Sequence, residues 1–363
     1  MTPADRALRQ NARKILTHHR GAAPSASLAD MAQSAYSKLE SDVYGEGGAV
    51  TSLEERVAKL LGKPRALFFF KGVIAQLCVL RQRAEEQASN LVALHPLSHI
   101  DYDEANAVEH LHNLRPMRLG RSAPFTAQQL DEVSEKLGSV VVELPLRRAG
   151  YLLPSWEELS AISGWCRKHA VPLHFDGARL WEAAAGYGRS LTELTSLADS
   201  VYVSFYKGLG GLAGCAVAGE PDFIEKLNVW KTRHGGNVFT SYPCAIKAHM
   251  GLDHYLGKFP HYVERARALA PRIAAISPLR VYPSRPDTNA FHILVPGRPD
   301  QLAAAHRAFC AETSLWLFNG FTEAPLPMHS IAEVVIGDTC ESWAEDEAVG
   351  WISSFAERSA PKA

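Results

Sequence analysis

Two short segments of this 363-residue chain carry residue types that could do chemistry together. In His174-Phe175-Asp176-Gly177-Ala178-Arg179 a carboxylate and then an arginine follow an apolar run. In Ser204-Phe205-Tyr206-Lys207-Gly208-Leu209-Gly210 a lysine sits in a glycine-rich turn after the next such run. A carboxylate can keep a pyridine nitrogen protonated, and a lysine can form a Schiff base. The pair therefore suits pyridoxal phosphate (PLP), an electron sink for carbanions whose enzymes carry a Schiff-base lysine and an Asp partner for the pyridinium. A nucleophilic lysine needs a lowered pKa, from desolvation or nearby cationic charge. Gly208 and Gly210 let the backbone turn tightly beside such a group. The plainer readings are a helix-capping aspartate and a surface lysine in a turn.

Elements that would position these residues are legible as alternating patterns. Short apolar runs at 66–70, 91–94, 139–144, 171–175 and 200–204 read as strands. Helical patterns fall between them: one capped by Thr51 or Ser52 with Glu54 or Glu55 as capping-box partner, then 72–83, 103–112, and 155–169 with Ser155 as cap and Glu158 in the box position. A stretch 212–218 leads into a helix from Pro221. Such alternation predicts a mostly parallel sheet covered on both faces, and ligands bind at the carboxyl ends of its strands. Glu143, Asp176 and Lys207 would meet on that rim. After about residue 240 the pattern changes. Helices at 242–256 and 262–276 lead to strands at 281–282, 290–295, 315–318 and 332–336, with helices at 300–312 and 345–358. The expected domains are an N-terminal arm and helix (1–40), a large α/β domain (41–258) and a small α+β domain (259–363). The stretch 20–25 reads as a flexible arm.

Composition narrows the class. A net charge of −1 and 47% hydrophobic residues in a chain of this length fit one large domain plus a smaller one, and give no sign of a nucleic-acid or membrane-surface partner. No apolar run is long enough for a transmembrane helix, and the first residues lack a signal peptide's apolar core. The six cysteines are scattered without a C-x-x-C pair. They read as free thiols in a reducing cytoplasm, and no metal site is expected.

The chain resembles the threonine aldolase/β-eliminating lyase family of fold-type-I PLP enzymes. The matching blocks run in the family's order from about 42 to 290: Asp42-Val43-Tyr44-Gly45, Leu61-Gly62-Lys63, Ser98-His99 with Glu104, Leu173 to Arg179, Lys207 to Gly210, His234-Gly235-Gly236 and Asp287-Thr288-Asn289. The resemblance implies a fold-type-I three-layer sandwich and a homodimer or homotetramer. It makes Lys207 the Schiff-base residue and Asp176 the partner of the pyridine nitrogen. His99 would stack on the ring and move protons, imidazole having both a flat face and a pKa near neutrality. Arg179 would hold the substrate carboxylate, which suits a planar fork. Glu104 would support the His99 segment, and Tyr44 would belong to the site, contributed across a dimer interface. His95 reads as structural.

Four places depart from the family. The hydroxyl-Gly-hydroxyl triplet of the phosphate cup is Lys71-Gly72-Val73 here. Backbone N–H groups at that helix start still suit a phosphate, Lys71 would add a point charge, and Ser204 is the nearest replacement hydroxyl. The aldolases' Glu-Asn-Thr-His-Asn is Glu143-Leu144-Pro145-Leu146-Arg147, without its histidine. Gly-Gly-Met-Arg is Gly236-Asn237-Val238-Phe239, and a late arginine is Glu333. Arg147 or Arg148 would replace a lost carboxylate contact. Glu333 would meet a substrate ammonium or pair with Arg179. The expected activity is cleavage of a β-hydroxy amino acid to glycine and an aldehyde through a Lys207 Schiff base. The alternatives are β-elimination, racemisation or transamination of another amino acid, and a PLP-binding protein without efficient turnover.

Overall fold

Seven strands form the central sheet: β1 (Arg65–Phe69), β2 (Leu91–Leu94), β3 (Arg115–Arg118), β4 (Ser139–Glu143), β5 (Leu173–Gly177), β6 (Ser200–Ser204) and β7 (Cys215–Gly219). Their order is β1-β7-β6-β5-β4-β2-β3. The pairs from β6 through β3 are parallel, and β7 runs antiparallel to both its neighbours. Strands β2, β4, β5, β6 and β7 are buried along their whole length. That is why they read as continuous apolar runs rather than alternating ones. Register sets Glu143 of β4 beside Asp176 of β5, and Asp176 beside Tyr202 of β6.

Residues 1–359 are described by the computed structural model. They fall into two compact units, Ala23–Gly257 and Met1–Ala22 with the residues from Lys258 onward. The 1–40 stretch is thus divided. Residues 1–22 belong with the C-terminal unit, and the supposed flexible arm runs into a helix at Pro24–Gln33.

Within Ala23–Gly257, helix α1 (Gly48–Leu60) precedes β1 and helix α2 (Gly72–Gln87) follows it. Helix α2 is buried on two sides. Ala75, Cys78 and Val79 join Tyr202, Val217 and Leu227 in one cluster, while Leu77, Leu80 and Ala84 join Val92, Leu94 and Val141 in another. Each fully buried Leu or Val contributes about 1.5–3 kcal/mol, so the N-terminus of α2 is held firmly against the sheet.

Local capping departs from the sequence pattern in two places. Helix α1 starts before Thr51, whose Oγ1 accepts from the Gly47 N–H at 3.0 Å, and Glu54 accepts from Phe68 N–H at 2.6 Å instead of closing a capping box. Ser155 does cap helix α3 (Trp156–His169), but the Glu158 carboxylate accepts from Ala127 N–H. Of the expected helix 103–112 only Ala107–His112 forms, because Ala105 and Asn106 take left-handed conformations, and a separate helical turn at His99–Tyr102 precedes it.

The second unit contains an antiparallel sheet of β8 (Arg280–Tyr282), β9 (Ala290–Pro296), β10 (Phe321–Glu323) and β11 (His329–Val335), in the order β10-β11-β9-β8. Only Leu315–Trp316 of the expected strand 315–318 pairs, in parallel with Lys14–Ile15. Glu333 lies on β11 opposite His292, its Oε1 3.7 Å from the ring Nε2, and so has a partner within its own unit. No helix among the described residues is long and apolar enough to cross a membrane.

Candidate active site

Strand ends bring the candidate residues together. A cleft is lined by Lys71, Gly72, Val73, Gln76, His99, Glu104, Asp176, Ala178, Tyr202, Tyr206 and Lys207. Its floor is Asp176, near the carboxyl end of β5 and 2% exposed, with Oδ1 accepting from the Ala178 N–H at 3.1 Å. Burial pushes the Asp176 carboxyl up, and the charges of Lys207, His99 and Arg179 oppose that. Lys207 follows β6 in a turn closed by Gly210 at φ +62°. Burial and then the neighbouring Arg179 charge bring its amine down from an ordinary 10.5 to about 8.

His99 is fixed at two atoms. Its backbone N–H donates to Glu143 Oε2 at 2.6 Å, and its Nδ1 lies 3.0 Å from Glu104 Oε1. The Glu104 hydrogen bond raises the imidazole pKa against the effect of burial. Glu143 also accepts from the Arg147 N–H at 3.1 Å, and burial together with the Asp176 charge pushes its carboxyl up to about 7. Gly72 has no room for a side chain, since a Cβ there would lie 2.3 Å from the Tyr202 hydroxyl. Lys71 is the exposed residue preceding α2 and gives it no side-chain cap.

Other candidates lie outside the lining. Arg179 is half-buried at the start of helix α4 (Leu180–Tyr187), its guanidinium 5.3 Å from the centre of the Tyr151 ring. Ser204 is fully buried at the end of β6. Arg148 forms a two-pronged pair with Asp103, one prong 2.9 Å long, and stacks on Tyr102, so it is engaged at the surface. Tyr44 is 57% exposed and packs edge-on against Phe239. His95 bridges Ala123 O and the Leu97 N–H, a structural role. Sequence reasoning missed Gln76, Tyr202 and Tyr206. The available signal was a polar residue on an otherwise apolar stretch of α2, and tyrosines flanking the lysine turn.

This geometry fits PLP: a half-buried amine and a buried carboxylate share one cleft, with a helix N-terminus at its edge where glycine alone fits. Fold and site together are those of a PLP-dependent enzyme. A sequence model for the family "Beta-eliminating lyase" matches residues 22–296. The crystal structure of a candidate L-allo-threonine aldolase from Listeria monocytogenes superposes with a TM-score of 0.90 at 33% identity, covering 98% of this chain and 99% of that one. A candidate aromatic amino acid β-eliminating lyase/threonine aldolase from Exiguobacterium also gives 0.90, at 28% identity, over 97% of this chain and 99% of its own. The low-specificity L-threonine aldolase of Candida albicans is 29% identical over 60% of each chain. The chain belongs to the β-eliminating lyase family.

Proposed function

We propose that this enzyme cleaves the Cα–Cβ bond of a β-hydroxy amino acid, as threonine aldolases do, releasing glycine and an aldehyde. The observation that carries the reading is that the buried Asp176 and the half-buried Lys207 line one cleft together with His99 and Gly72. Bound PLP would supply an electron sink for charge developing at the substrate Cα. Every other part falls to the protein. The Lys207 amine, brought down to a pKa of about 8, holds a far larger neutral fraction near physiological pH than an ordinary lysine and serves as the covalent anchor. Asp176 takes the pyridinium N–H. The N–H groups of Gly72 and Val73, with Lys71 beside them, hold the phosphate.

His99 is the proton carrier. Glu104 occupies its Nδ1, so Nε2 is the atom that takes the hydroxyl proton from the substrate Cβ oxygen, directly or through water. Lys207 or water returns a proton to Cα. Arg179 holds the α-carboxylate, with Arg147 as a further substrate contact and Tyr44 as a residue completing the site of a homodimer or homotetramer. The half-exposed Tyr44–Phe239 aromatic pair supports a partner there. A cytoplasmic setting is supported by six free cysteines, all buried.

The test is L-allo-threonine cleavage, read as aldehyde release, in wild type, Lys207→Ala, Arg179→Ala and Arg147→Ala. The reading requires loss in Lys207→Ala and Arg179→Ala. Activity kept in Arg179→Ala but lost in Arg147→Ala would move the carboxylate contact to Arg147. Ammonia and a keto acid in place of aldehyde would favour β-elimination.

A further inference from the structure

Gln76 is 2% exposed and sits on α2 one turn beyond Gly72, facing the cleft that holds Asp176 and Lys207. Its Oε1 lies 2.9 Å from Nε2 of His174, and the other ring nitrogen, Nδ1, lies 2.9 Å from the Ser200 hydroxyl. His174 and Ser200 are fully buried. Because a glutamine oxygen only accepts, His174 Nε2 donates to it. A neutral imidazole then has Nδ1 free to accept, and the Ser200 hydroxyl donates there. Burial keeps that ring neutral, with its pKa down at about 3. The relay leaves one group over. The amide nitrogen of Gln76 is a buried donor with no hydrogen-bond partner. Buried polar groups are rarely left in that state, and each exception calls for an absent partner.

We propose that Gln76 is a cofactor-binding residue whose side-chain amide donates to an acceptor oxygen of PLP, with His174 as a positioning residue that holds the amide oxygen away from the cleft. Residues four apart lie on one helix face. One face of α2 therefore offers backbone N–H groups at Gly72 and a fixed amide donor one turn deeper. PLP has acceptors of two kinds, the phosphate oxygens and the phenolic ring oxygen. The inference rests on the PLP reading of the cleft.

The test is equilibrium binding of PLP and of pyridoxal to full-length protein stripped of cofactor, followed by absorbance and fluorescence, with thermal melting as a check on folding. Gln76→Glu keeps an acceptor for His174 and sets a carboxylate oxygen where the donor stood. Its PLP affinity is expected to fall by about tenfold or more, the scale of a lost hydrogen bond to a charged group. Should that variant fail to fold, Gln76→Met fills a similar volume without a donor and gives the same reading. A loss seen with PLP and not with pyridoxal assigns the contact to the phosphate, and an equal loss with both assigns it to the ring oxygen. A folded Gln76 variant that binds PLP as wild type does would overturn the proposal. Wild type that itself fails to bind PLP would instead overturn the reading of the cleft.

Discussion

Lys207 and His99 sit on one cleft, and their surroundings move their protons in opposite directions. Desolvation and the Arg179 charge lower the Lys207 amine to about 8. Desolvation also acts on His99, but the Glu104 hydrogen bond outweighs it and raises the ring. Two predictions follow from those causes. In cofactor-free protein, the rate at which Lys207 takes up an amine-selective reagent should rise through about pH 8, because the neutral amine is the reactive form. Arg179→Met should move that midpoint upward, as peptide mass spectrometry of the modified lysine would record. In Glu104→Gln the His99 ring should titrate at lower pH than in wild type, read from its NMR signals. An unchanged His99 titration would mean that Glu104 does not govern that proton. Asp176, Lys207, His99 and Arg179 were legible in the sequence because each follows a strand or opens a turn within a recognisable block. Gln76 was not, because a single polar residue in a helix reveals nothing about the ring it meets from a strand almost a hundred positions away.

At the scale of elements, the site depends on how closely α2 approaches β6. Gly72 permits that approach, since any Cβ would collide with the Tyr202 hydroxyl. Gly72→Ala should leave the strands intact and weaken PLP binding by about tenfold, an overpacking cost of about 1–3 kcal/mol at the helix start. Tyr202→Phe removes the nearest atom, leaving the ring carbon at 3.1 Å. The double variant should therefore bind PLP more tightly than Gly72→Ala alone. Equal affinity in the single and double variants would show that the collision is not the cause. Strands β2, β4, β5 and β6 were readable because burial on both faces makes them uninterrupted apolar runs. The helix expected at 103–112 begins only at Ala107. Its late start rests on left-handed backbone at Ala105 and Asn106, and alanine gives no hint of that conformation.

At the scale of the whole molecule, the alternation of strands and helices announced an α/β sheet, but the path of the chain through it was hidden. Strand β7 enters between β1 and β6 in the opposite direction, and the N-terminal Lys14–Ile15 pairs with Leu315–Trp316. Pairings across such distances leave no local pattern. The expected oligomer gives a direct prediction: sedimentation should yield two or four times the chain mass, and Tyr44→Ala with Phe239→Ala should shift the protein toward smaller species without loss of fold. A monomer in wild type would contradict the homodimer or homotetramer expectation. The central claim is the choice of bond. The measurement that tests it most directly is incubation of the PLP-loaded protein with L-threonine, L-allo-threonine and other β-hydroxy amino acids, with products identified by NMR. Glycine and the matching aldehyde in equal amounts, absent in Lys207→Ala, are the predicted result. A keto acid with ammonia, or no product from protein that retains its bound cofactor, would contradict it.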